Sequence, residues 1–97
     1  MHLHPGQTEE YKRRHDELWP ELALLLKQAG VSDYSIFLDE ETHVLFGVLK
    51  TSDPEALDAL PAQEVMQRWW AYMRDIMDAK ENNEPVSTPL REMFHLD

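Results

Sequence analysis

The stretch Tyr34-Ser35-Ile36-Phe37-Leu38-Asp39-Glu40-Glu41-Thr42-His43-Val44-Leu45-Phe46-Gly47-Val48-Leu49 decides the fold. Residues 34–38 read as one strand, 39–42 as a polar turn and 44–49 as a second strand. Side chains alternate along a strand, so Tyr34, Ile36 and Leu38 share one face while Ser35 and Phe37 take the other. In the second strand Val44, Phe46 and Val48 oppose Leu45, Gly47 and Leu49. Both strands are therefore apolar on both faces. Helices packed on one side of a small sheet leave the other side bare. The pattern asks for a further cover, most simply a second copy of the chain.

Upstream, residues 1–4 alternate as a strand would, and Pro5-Gly6 marks a turn. Thr8 or a neighbour is placed to cap a helix whose first turn carries Glu9 and Glu10. That helix should run to about Ala29 and stop at Gly30. Pro20 lies inside it, which predicts a kink or a restart near 18–20. Downstream, Asp53-Pro54 opens a short helix and residues 62–77 form a longer one. Residues 78–89 read as a polar, ordered or gating loop, and 90–96 as a final strand. The order is β-α-β-β-α-β, an α+β arrangement of the ferredoxin-like kind.

A chain of 97 residues has room for one domain and one modest core. Hydrophobic content of 42% fits a globular fold, and a second subunit would stabilise so small a core. The net charge of −10, with nine Lys and Arg in all, argues against nucleic acid and anionic membranes. A neutral substrate is not repelled. The absence of cysteine removes thiolate nucleophiles and Cys-based metal sites. No apolar run reaches the ~20 residues of a membrane span. Nothing reads as a secretory signal, so a cytoplasmic protein is expected.

Tyr11 and His15 are one helical turn apart, on a stripe continued by Leu18, Leu22, Leu25, Leu26 and Ala29. Two proton-bearing groups on a core-facing stripe must find hydrogen-bond partners or do chemistry. His15 reads either as a core histidine bonded to Tyr11 or a carbonyl, or as a general acid–base. The adjacent Trp69 and Trp70 read as two core residues, or as one core residue and one cavity wall suited to a sugar face. Tyr34 is core with a satisfied hydroxyl, or a ligand contact. His2 and His4 alternate on a strand, but spacing supplies no third metal ligand, and His43 and His95 join no motif. With no phosphate loop, nucleophile elbow or HExxH, chemistry without nucleotide, metal, cofactor or covalent nucleophile is expected.

Several stretches together resemble the L-rhamnose mutarotase family. They are Glu10-Tyr11-Lys12-Arg13-Arg14-His15, Leu18-Trp19-Pro20-Glu21-Leu22, Tyr34-Ser35-Ile36-Phe37-Leu38-Asp39, Gln67-Arg68-Trp69-Trp70-Ala71-Tyr72-Met73 and Pro85-Val86-Ser87. They span nearly the whole chain in the family's order. The resemblance implies one ferredoxin-like domain over residues 1–97 and a dimeric α/β barrel packed sheet to sheet. It implies interconversion of the α and β anomers of L-rhamnopyranose, supplying the anomer used by a downstream sugar isomerase or taken up by transport. It implies His15 as proton donor and Tyr11, Tyr34, Trp69 and Trp70 as sugar contacts. Two departures stand out. The first strand looks shorter than the family's, and His95 stands where an aromatic such as tyrosine is expected.

Two rival activities fit the same dimeric barrel. One is a cofactor-independent monooxygenase or haem-degrading protein, which would oxidise an aromatic or bind haem. The other is a non-enzymatic small-ligand-binding protein, which would bind a sugar without exchanging its anomers. Fold alone does not choose among them.

Overall fold

The computed structural model describes residues 1–97. In chain order the elements are α1 (Thr8–Asp16), α2 (Pro20–Gln28), β1 (Val31–Asp39), β2 (Val44–Thr51), α3 (Pro54–Ala59), a 3-10 turn (Leu60–Ala62) and α4 (Glu64–Met73). The chain is α+β. The break between α1 and α2 is the restart that Pro20 predicts. Trp19 before it takes an extended conformation, and Pro20, with no N–H to leave unpaired, opens α2. Helix α1 begins one residue earlier than a Thr8 cap requires, because the Tyr11 N–H donates to the Gln7 carbonyl. Gly30, at φ +80°, ends the second helix, and a Cβ there would collide with the Ser52 side chain.

β1 and β2 pair antiparallel, with Phe37 opposite Phe46 and Leu38 opposite Leu45. A bulge between Ser32 and Ser35 adds one residue to β1, and Asp33 sits there at φ +47°. The extra residue resets the alternation, so Val31 and Tyr34, three apart, both reach the inner face. Residues 1–4 extend this sheet. His2 bridges Val44, and the Leu3 N–H donates to the His43 carbonyl at 2.9 Å.

Two expectations fail at the C-terminal end. The long helix does not reach residue 77: α4 ends at Met73, and the chain turns through 74–76. Residues 90–96 form no strand. The outer position beside residues 1–4 is taken by 76–78 instead, through His4 N–H to Ile76 O (2.8 Å) and Asp78 N–H to His2 O (2.9 Å). Ile76 and Met77 are buried there, so this short segment satisfies both backbone and core. Leu90, Met93, Phe94 and Leu96 are 70–81% exposed, and nothing in the single chain offers their backbone a ladder. The spatial order is thus 76–78, 1–4, β2, β1. The polar loop after it is ordered: Ala79 bridges Pro85 around a tight turn at 80–84.

The helices cover one face. Leu3, Val31, Leu45, Ile76 and Met77 from the sheet side pack with Leu22, Met66, Trp69 and Met73 from the helices. On the other face Phe37, Phe46 and Val48 are exposed, as their two-sided pattern anticipates.

Candidate active site

Between the helices and the inner sheet face lies a cavity of about 960 Å³, within the size range of small-molecule sites. Tyr11, His15, Tyr34, Trp69 and Trp70 all line it, so the fold brings together the five residues for which the resemblance implies a site role. Helix α1 supplies the first two on one face, the bulged β1 supplies Tyr34, and α4 supplies the two tryptophans.

His15 stacks on Tyr11, ring centroids 4.3 Å apart, and meets the edge of Trp69 at 5.3 Å. Its Nδ1 lies 3.0 Å from the Tyr11 carbonyl oxygen. A carbonyl only accepts, so Nδ1 carries the proton and donates. Nε2, on a ring that lines the cavity, makes no hydrogen bond within the chain. Burial lowers the His15 pKa from its ordinary 6.5, outweighing the opposing pull of the carbonyl and of Asp16. At neutral pH the imidazole is therefore mostly uncharged, with a free Nε2 lone pair on a ring that lines the cavity.

Burial acts on the phenols too. It pushes the Tyr11 hydroxyl well above its ordinary 10, with the Tyr34 phenol adding to the effect, and it raises Tyr34 as well. Both stay protonated and are hydrogen-bond donors rather than bases. The Tyr34 ring lies over Gly47: a Cβ built there would sit 3.7 Å from the ring and 3.9 Å from its oxygen. Gly47 thus leaves the phenol a bed against the sheet. Trp69 is buried among aromatics, edge-on to Trp19 at 5.2 Å and tilted to Tyr72 at 5.7 Å. Trp70 is half-buried and faces the cavity beside it.

Sequence reading passed over three residues around this site: Arg14, Trp19 and Tyr72. Trp19 stacks on Tyr72 at 5.6 Å, and the Arg14 guanidinium sits 4.4 Å over the Tyr72 ring. Arg14 was findable. It lies three residues after Tyr11 and four before Leu18, a charge on the same inward stripe. His4, a weak metal candidate in the sequence, bonds Asp78 at 3.0 Å instead. His95, exposed, bonds Asp97 at 3.1 Å.

A small α+β chain with an apolar-walled cavity, two neutral phenols and an uncharged imidazole has the equipment of an acid–base enzyme for a small neutral ligand. A family model described as L-rhamnose mutarotase matches residues 1–96. An L-rhamnose mutarotase of Mesorhizobium japonicum is 62% identical over 96 residues, covering 99% of this chain and 91% of that protein. One from Sinorhizobium fredii is 58% identical, covering 99% and 92%. The crystal structure of an L-rhamnose mutarotase from Formosa agariphila superposes with a TM-score of 0.93 at 49% identity, covering 100% of this chain and 93% of that one. The chain belongs to the L-rhamnose mutarotase family, and it is an isomerase.

Proposed function

We propose that this chain interconverts the α and β anomers of L-rhamnopyranose, with His15 as its proton shuttle. The observation that carries the role is the Nδ1–H bond to the Tyr11 carbonyl, which leaves Nε2 free at the cavity. Neutral His15 takes the proton from the anomeric O1–H. The C1–O5 bond breaks as C1=O1 forms, and the imidazolium delivers its proton to O5. O1 and O5 are bonded to the same carbon, so one base serves both. The aldehyde turns about C1–C2, and the same steps in reverse close the ring on its other face. The donor role that the resemblance implies for His15 is the second half of this cycle. Tyr11 and Tyr34, held protonated, donate hydrogen bonds to the sugar oxygens. Trp69 and Trp70 wall the cavity where the sugar's apolar face and C6 methyl pack.

The working form we propose is a cytoplasmic homodimer of ferredoxin-like subunits, joined sheet to sheet as a dimeric α/β barrel. Two features support it: the exposed Phe37, Phe46 and Val48, and the exposed apolar tail over 90–96. Exchange NMR between the L-rhamnose anomer signals tests the activity. Exchange no faster than in buffer sinks the reading. Haem uptake or oxidation of an aromatic would point to the rival enzyme class.

A further inference from the structure

Arg14 is the one charged side chain in the chain's buried set, 8% exposed. A buried guanidinium adds little to stability for its own sake, since an apolar residue of similar size packs two helices as well or better. Its value lies in direction. Nη1 donates to the Tyr72 carbonyl (2.8 Å) and to Asp75 Oδ1 (2.8 Å), Nη2 to Asp75 Oδ2 (3.1 Å) and Nε to Glu10 Oε2 (3.1 Å). The plane of the group lies over the Tyr72 ring. A forked donor set of this kind fixes both distance and rotation between the pieces it joins.

The pieces are α1 and the C-terminal end of α4. Helix α1 is nine residues long, has no side-chain N-cap, and buries only Tyr11 and Arg14. Its other ion pairs, Lys12–Asp16, Glu10–Arg13 and Arg13–Glu17, are internal to the helix and its flank. Arg14 is the buried polar tie between α1 and α4, and the exposed Arg13 beside it also reaches the Tyr72 side chain. The next residue is His15, whose ring must meet Trp69 of α4 edge-on. Asp75 also offers its carbonyl to the His4 ring at 3.3 Å, which links the tie to the first sheet segment.

We propose that Arg14 is a positioning residue: its clamp on Tyr72 and Asp75 sets the placement of α1 and so aims His15 Nε2 into the cavity. The inference rests on His15 acting as the proton shuttle. A displacement of about 1 Å at a reacting group costs up to ~10²-fold in rate. Asp75 is two-thirds exposed, so losing Arg14 leaves it hydrated rather than stranded.

The test compares wild type with Arg14→Lys, Arg14→Gln and Asp75→Asn on the full chain, below each variant's unfolding temperature. Anomer exchange gives kcat and KM, and imidazole NMR gives the His15 ring signals without any substrate. Arg14→Gln should lose about tenfold or more in kcat with KM changed less than about threefold, and its His15 signals should move. Arg14→Lys, which keeps the charge but not the fork, should restore little. Asp75→Asn, which keeps the Tyr72 and Glu10 bonds, should lose least. Wild-type kcat in folded Arg14→Gln overturns the proposal. So does a lowered Tm with unmoved His15 signals, which is what a merely structural role gives. If wild type itself exchanges no anomers, the proposed function fails instead, and the ring signals still judge the clamp.

Discussion

Replacing His15 with alanine separates catalysis from folding. The side chain contributes one hydrogen bond to Tyr11, a stack at 4.3 Å and an edge contact at 5.3 Å. Such a bond is worth about 0.5–1.5 kcal/mol and each aromatic contact about as much. The expected cost is thus about 2–4 kcal/mol, and a stability of about 5–15 kcal/mol leaves a folded majority. The catalytic loss is of another order. A placed acid–base group supplies ~10²–10⁴-fold, or about 3–5 kcal/mol of barrier, and here one group serves both O1 and O5. Saturation-transfer NMR on the L-rhamnose anomers should show His15→Ala slowed by that factor, with circular dichroism confirming the fold. A folded variant within about threefold of wild type would refute the shuttle, because acid–base groups contribute far more than that.

Four further outcomes follow from the same geometry. The exchange rate should fall on the acid side with an apparent pKa below 6.5, since protonation removes the Nε2 lone pair; a fall with its midpoint at or above 6.5 contradicts this. Stability moves the same way: the unfolded chain protonates His15 first as pH drops below 6.5, so unfolding gains ground there, and chemical denaturation at several pH values reads it. Gly47→Ala should be tolerated, whereas Gly47→Val should push the Tyr34 phenol off its bed and raise KM for L-rhamnose; equal KM in both discounts the contact. Phe46→Glu should convert the proposed homodimer to monomer in light scattering, and a persisting dimer places the interface elsewhere.

What the sequence made legible is what periodicity and local chemistry encode. Phe37, Phe46 and Val48 announced a bare sheet face because alternation is a property of neighbours along the chain. Pro20 announced the helix restart, and Asp53-Pro54 the third helix, through a cap bond to the Ala56 N–H. The cavity-lining residues stood out as polar or oversized groups, but pattern left core and ligand roles open, and only the resemblance implied which they serve. The last strand was misplaced for a different reason. Residues 90–96 have strand composition, but a strand exists only where a ladder partner is within reach, and 76–78 occupies the place beside residues 1–4. Asp33 hid the bulge that turns Tyr34 inward, because an aspartate at positive φ leaves no mark in hydrophobic patterning. Arg14 was overlooked because its partners, Tyr72 and Asp75, lie about sixty residues away and on no shared motif.

The directions of the pKa shifts explain why this chain needs so little to do its chemistry. Inside the cavity the imidazole is kept neutral and both phenols are kept protonated, all by desolvation. The charged residues that touch the cavity, Asp16, Asp33, Glu40 and Glu84 with Lys12 and Lys27, are exposed or half-buried and sit at its rim. The interior therefore holds no formal charge at rest. A neutral sugar enters without ionic partners to displace, while an anionic one meets the acidic rim of a chain of net charge −10. In the proposed cycle, charge appears only when O1 gives up its proton, as an imidazolium beside an oxygen anion. In that scheme the pair forms beside phenols that stay protonated, one of them, Tyr11, buried, so the stabilisation is spent on the transition state rather than on binding. The apolar walls thus act through His15: by withholding water they keep its Nε2 an acceptor, and the ion pair they enclose is drawn together rather than screened apart.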